Sequence, residues 1–141
     1  MTEITQAYKF IVAAMKADTA LTTAATGGVH QGFAPLNTTA PYALVTKQSD
    51  GDVLTVNAVR VFSRMLLQIK AVGLTRDYDT LEIIASRIDA LFGRQGASIP
   101  ATGGVVLETH RESQISYEED PSPGEQVSHL GGLYDIDLQG T

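Results

Sequence analysis

The sequence predicts an α+β domain, a mainly antiparallel four- to five-stranded sheet with two helices packed on one face. Three observations carry this. Apolar residues recur at three-to-four spacing over 4–17 and 79–92. They alternate at two-residue spacing over 58–72 and 127–139, and 105–117 keeps its polar side chains to one face. The elements follow the order helix, strands, helix, strands. A chain of 141 residues, 43% hydrophobic, is the right size for one core, so 1–141 is read as a single domain.

The first helix is expected from about Ile4 to Ala17, with Ile4, Tyr8, Ile11 and Met15 on its apolar side. Residues 18–41 carry Gly27-Gly28, Pro35, Asn37 and Pro41, a mixture that leaves room only for a short strand near Val29 to Phe33. Tyr42 to Lys47 reads as a strand, and Ser49-Asp50-Gly51-Asp52 as a hairpin turn within 48–57. The longest strand candidate, Ala58 to Val72, places Val59, Val61, Met65, Leu67, Ile69 and Ala71 on a core face. Arg60, Phe62, Arg64, Leu66, Gln68 and Lys70 then lie on a mixed one.

Asp79 followed by Glu82 forms a capping-box pattern ahead of the stripe Leu81, Ile84, Ala85, Ile88, Leu91 and Phe92, and Gly93 is a natural stop. Pro100 to Gly104 is expected to turn, and Val105 to Tyr117 to form a strand with Glu108, His110, Glu112 and Gln114 along one face. The acidic segment Tyr117 to Glu125 reads as a solvated loop, and Val127 to Gln139 as the final strand. Ala25-Thr26-Gly27-Gly28-Val29 recurs as Ala101-Thr102-Gly103-Gly104-Val105, read as two independent helix-to-strand turns.

Charge is placed unevenly. Residues 1–100 hold 9 Lys/Arg against 8 Asp/Glu, whereas 101–141 hold Arg111 alone against 8 acids, so the last third is net −7 and outweighs a net +1 in the rest to give the total of −6. Without a basic cluster to neutralise phosphates, tight binding to a nucleic-acid backbone is not expected. An acidic surface can still line a passage through which DNA slides. Opposite charges on facing strands, Arg60, Arg64 or Lys70 against Glu108, Glu112, Asp135 or Asp137, are expected to pair across the sheet. Cysteine is absent, which excludes disulfides and thiolate chemistry. The N-terminus has no basic export pattern, and no apolar run approaches a membrane span.

Chemistry finds little support. Neither a GxxxxGK[ST] nor a GxGxxG loop is present, and no GxSxG elbow surrounds Ser98. His30, His110 and His129 are isolated, and His110-Arg111-Glu112 lacks the cysteines of a zinc deaminase, so these are read as solvated strand histidines and no metal is expected. Asp50-Gly51-Asp52 lacks the further ligands of a calcium loop, and Glu118-Glu119-Asp120 lacks the unlike environments of an acid/base pair. No catalytic residue and no cofactor site is expected.

Across nearly the whole chain the order of segments resembles the tail-completion or tail-terminator proteins of long-tailed bacteriophages, including the lambda-type terminator. The matching stretches are Ala17-Asp18-Thr19-Ala20-Leu21-Thr22, Val29-His30-Gln31-Gly32-Phe33-Ala34-Pro35, Ala40-Pro41-Tyr42-Ala43-Leu44-Val45, the second helix, and the ending His129 to Leu138. One departure is Gln126-Val127-Ser128, where the family often has an aromatic before the last strand. The resemblance implies a non-enzymatic virion protein of the tail and neck, assembled in the host cytoplasm. It also implies a ring, typically hexameric, that caps the head-proximal end of the tail tube, stops its polymerisation and meets the head connector, with DNA passing through the lumen unspecifically. Arg60, Arg64, Glu112 and Asp137, of mixed sign on alternating strand positions, are the candidate contact residues between subunits. The alternatives are a head-tail connector or minor tail protein, and a small ligand-binding or enzymatic α+β domain.

Overall fold

A computed structural model describes residues 3–54, 60–95, 99–101, 104–122 and 124–140. The side chains at 3, 4, 50, 52–54, 60, 61, 94, 95, 99–101, 104 and 140 lie outside that description. The elements are α1 (Glu3–Ala17), α2 (Thr19–Ala24), β1 (Val29–Gln31), β2 (Tyr42–Leu54), β3 (Arg60–Leu74), α3 (Tyr78–Phe92), β4 (Arg94–Gln95), β5 (Ile99–Ala101), β6 (Gly104–Ser122) and β7 (Glu125–Gly140). The sheet runs β1-β2-β3-β7-β6-β4, with β5 also paired to β6. Every pairing is antiparallel except the short parallel contact of β1 with β2.

The predicted fold class is the one observed, and the two-residue alternation explains its core. Met65, Leu67, Ile69 and Ala71 of β3 stand beside Tyr134, Ile136 and Leu138 of β7, all buried on the same face. Onto that face α1 sets Ala7, Ile11 and Met15, and α3 sets Leu81, Ile84, Ile88 and Phe92, one contiguous apolar cluster. The Phe92 ring meets Phe10 and Tyr134 edge-on, at centroid distances of 6.3 and 6.4 Å.

The structure departs from the sequence reading in five places. A third helix, α2, follows α1 directly. Six residues are too few to show a stripe, but the Asp18 carboxylate caps it by accepting from Leu21 N at 2.9 Å, and Leu21 is buried. The Ser49-to-Asp52 segment is strand: Asp50 pairs with Met65, Gly51 with Arg64 and Asp52 with Ser63, after a bulge between Lys47 and Ser49. A long partner strand outweighs local turn chemistry here, and the connection falls at 55–59, outside the described residues, as do Ala58 and Val59.

The acidic stretch expected as a loop is likewise paired, Tyr117 with His129, Glu119 with Val127 and Ser122 with Glu125, and Gly124 turns at φ 78°. A one-turn 3-10 segment, Thr75–Asp77, leads into α3 at Tyr78. Asp77 is therefore the N-cap, without a side-chain bond, and Asp79 sits in the first turn near the positive end of the helix dipole. The second ATGGV copy belongs to the β5–β6 hairpin, where Ala101 pairs with Gly104, and is no helix-to-strand turn.

Two substitutions test this packing. A methyl group on Gly131 would overlap the Ile69 carbonyl oxygen and Lys70 Cα, backbone atoms of β3 that cannot move aside. Gly131→Ala is therefore expected to cost about 3 kcal/mol of stability in urea denaturation, the upper part of the range for overpacking. Asp18 also takes the Arg87 guanidinium on both oxygens, at 2.6 and 3.2 Å, which ties α2 to α3. Asp18→Ala should cost about 1–2 kcal/mol at neutral pH. The Arg87 bond, offset in part by burial, holds the Asp18 carboxyl below its usual value, so this contribution is present above the ordinary carboxylate range and lost as pH falls through the folded pKa.

Candidate functional site

The side of the sheet away from the helices is where charged residues gather. On the outer face of β7, Asp135 and Asp137 are buried, 6% and 5% exposed, because β3 and β6 flank them on both sides. Arg64 of β3 lies opposite Asp137 and grips it with both arms: Nε donates to Oδ1 at 3.0 Å and a terminal nitrogen to Oδ2 at 3.3 Å. Its Nε is also 3.6 Å from Asp135 Oδ2. These anions hold the Arg64 guanidinium even more firmly in its charged form, the Asp137 hydrogen bond first.

From the other flank β6 brings His110 opposite Asp135 and Glu108 opposite Asp137. Glu112, two residues on at a bulge between Arg111 and Ser113, lies beside His110, whose Nε2 meets Glu112 Oε1 at 2.8 Å. This contact with Glu112, opposed by some burial and helped by Asp135 and Glu108, raises the His110 pKa. The His110 Nδ1 is 3.5 Å from Glu108 Oε1, without hydrogen-bond geometry and with no other partner. The Asp135 Oδ1 is buried and equally unpartnered. Burial first, then the adjacent Asp137 carboxylate, push the Asp135 carboxyl up to about 7.

Of the residues singled out in the sequence, Arg64, Glu112 and Asp137 thus belong to one patch. Arg60 opens β3 opposite Leu54, and its side chain lies outside the described residues. Lys70, expected to face an acid, lies opposite Gly131 instead; its ammonium donates to the Tyr117 hydroxyl at 2.6 Å and sits 5.1 Å from that ring's centre. His129 is not the solvated histidine expected. It is 8% exposed, stacks on Tyr117 at 4.3 Å and bonds Glu119 through Nε2 at 2.8 Å. Burial, followed by nearby Lys70, holds its pKa below the ordinary value.

Sequence reasoning left out Asp135 as a contact candidate and His110 as its neighbour. The signal was present in part, since both sit on faces that alternation identifies. Their juxtaposition needed the β6–β7 register, which a bulge shifts. On the helical side, a hollow of about 290 Å³ lies between α3 and the β6–β7 pair, where Asp89 takes Arg111 at 3.3 Å and the Tyr134 hydroxyl at 3.3 Å. Among the described residues no helix is long and apolar enough to cross a membrane.

No protein-family model matches the chain, and no curated protein matches it. Solved structures do. A chain in the structure of the virion of a native gene transfer agent particle superposes with a TM-score of 0.69 at 11% identity, over 92% of both chains. A second solved chain superposes with a TM-score of 0.58 at 14% identity, over all of this chain and 98% of the other. The protein therefore shares, over essentially its full length, a fold found in a virion component.

The raised Asp135 pKa sets a pH dependence. The unfolded chain releases that proton near 3.8 and the folded chain near 7, so the folded state holds more protons between these values and loses stability as pH rises through them. Asp135→Asn removes the effect. Thermal melts should show the variant more stable than the parent at pH 8, with a gain that shrinks at pH 5 and is absent below pH 4.

Proposed function

We propose that this chain is a structural virion protein, a tail terminator that forms a ring at the head-proximal end of a phage-type tail tube. There it stops tube polymerisation and joins the tail to the head connector. The observation that carries this reading is the end-to-end likeness of fold to a chain of a gene transfer agent virion, with 92% of each chain covered. The tail-terminator resemblance of the sequence, which spans nearly the whole chain, supports the terminator as the particular role within that reading.

The reading has a physical mechanism. A ring needs a head-to-tail contact repeated around an axis, so each subunit must present two different surfaces. The outer sheet face offers charges of both signs in one patch, with the Arg64 side chain 56% exposed and Glu112 48% exposed. Opposed charges of this kind set the register and orientation of a neighbour more than the strength of its binding. The net negative charge of the last third, placed toward a lumen, would let DNA pass without adhering. No step in this role requires bond chemistry.

Native mass by light scattering, with electron microscopy of the largest species and of tail tubes mixed with the protein, tests the role. Closed rings, or rings seated on tube ends, are expected; a protein that neither self-associates nor binds tubes would discard it. Tubes of uncontrolled length when the gene is deleted distinguish a terminator from a connector. Glu112→Lys probes the patch separately. It should weaken assembly at low salt while moving the stability of the isolated subunit by less than about 1 kcal/mol. Unchanged assembly would remove the patch from the interface and leave the ring to other surfaces.

A further inference from the structure

We infer that His110, Glu112 and Asp135 form a binding site for one divalent first-row transition cation of the Zn²⁺ type, clipping β6 to β7 on the outer face of the sheet. The inference stands independently of the tail reading. One ligand atom from each of the three residues lies within 4.8 Å of the others. A tetrahedral cation with ligand distances near 2.1 Å needs donors about 3.4 Å apart. Partial exposure of the His110 and Glu112 side chains, 36% and 48%, gives them room to close that difference and leaves the cation a route in from solvent.

The second observation is a buried oxygen that has nothing to bond. Asp135 is 6% exposed and its Oδ1 has no hydrogen-bond partner. A buried carboxylate left in that state is costly, and a cation beside it removes the cost. Arg64 does not serve, because its two short bonds go to Asp137 and its nearest approach to Asp135 is 3.6 Å, on Oδ2. Among the described residues, Glu108, Glu112, Asp135 and Asp137 stand around the site together with the Arg64 guanidinium, a surplus of negative charge suited to a divalent ion.

The third observation concerns the far side of the imidazole. With Nε2 turned to Glu112 and the cation, Nδ1 points toward Glu108 Oε1 at 3.5 Å and lacks another partner. Histidine ligands typically donate their second ring N–H to a carboxylate, which fixes the ring and raises its basicity. Glu108 is placed to be that acceptor, as a positioning residue outside the ligand set. One imidazole with two carboxylates selects a borderline cation such as Zn²⁺ or Co²⁺ over the hard Mg²⁺ or Ca²⁺. Three protein ligands leave a fourth position for water or for a group from a neighbouring molecule.

The sequence alone gave no reason to expect this site. His110 and Glu112 are two apart on a strand, a spacing without a metal signature, and the third ligand comes from β7 through the shifted register. The test is calorimetric titration of the chelator-stripped full chain with ZnCl₂ at pH 7.5. Optical titration with Co²⁺ and melting temperature against Zn²⁺ concentration accompany it. One ion per chain is expected, with visible Co²⁺ bands of low coordination number and a melting temperature that climbs with the logarithm of free Zn²⁺.

His110→Ala should weaken binding by at least about tenfold and Glu108→Gln by about tenfold, the usual effect of removing an outer carboxylate. His30→Ala should leave it unchanged. Glu112→Gln, at an exposed position that does not threaten folding, provides the loss of a ligand should His110→Ala misfold. No saturable binding, or binding that His110→Ala and Glu112→Gln leave intact, would overturn the inference.

Discussion

Strand β7 is paired along nearly its whole length with β3 on one side and β6 on the other, so its backbone groups are committed to two ladders. Its side chains have to divide between the helical core and the outer face. Tyr134, Ile136 and Leu138 go inward, where burial of this size stabilises each by about 2 kcal/mol. Asp135 and Asp137 are thereby carried outward into a position flanked by neighbours on both sides. Their burial is a consequence of strand periodicity, and the unusual electrostatics of these two carboxylates follow from it. The Arg64 fork, the raised Asp135 pKa and the orphaned Oδ1 all answer to two carboxylates that the pleat places two residues apart on a central strand.

The same constraint explains the glycines of β7. At Gly131 the backbone of β3 comes too close for any side chain, and a second glycine follows directly at 132. Beside that narrow point the outer face has space for large groups from the flanking strands, and it is there that Tyr117 stacks on His129 and takes the Lys70 ammonium.

How much of this was legible in the sequence depended on whether the information was local. The core faces of β3 and β7 were readable because periods of two survive any tertiary context that buries one side. The apolar stripe of α3 was readable for the same reason, while α2 was not, since six residues hold less than two turns. Ser49 to Asp52 and Tyr117 to Glu125 misled, because turn chemistry is a weak local preference and the partners that overrode it, β3 and β7, lie elsewhere in the chain. In the patch, the pairing of Arg64 with Asp137 could be anticipated from alternation and charge. Lys70 could not, because its partner is a tyrosine hydroxyl, and the placing of Asp135 opposite His110 depends on a β6–β7 register that bulges shift and that leaves no clear mark in sequence.

The two long borders of the sheet differ in character. Beyond its short contact with β1, strand β2 continues from Thr46 to Leu54 with no further partner on that side among the described residues. Strand β6 does the same from Arg111 to Ser122, past β4. Open borders invite chains to line up and grow into fibres, and both carry obstacles: a bulge after Lys47 on one, and on the other a bulge after Arg111 followed by Glu118, Glu119, Asp120 and Pro121. The β6 border from Arg111 to Ser122 carries four acids, Glu112, Glu118, Glu119 and Asp120, against Arg111 alone, so two such borders repel. Sheet continuation between identical β6 borders is thus disfavoured, which steers the molecule away from two-fold pairing along that border.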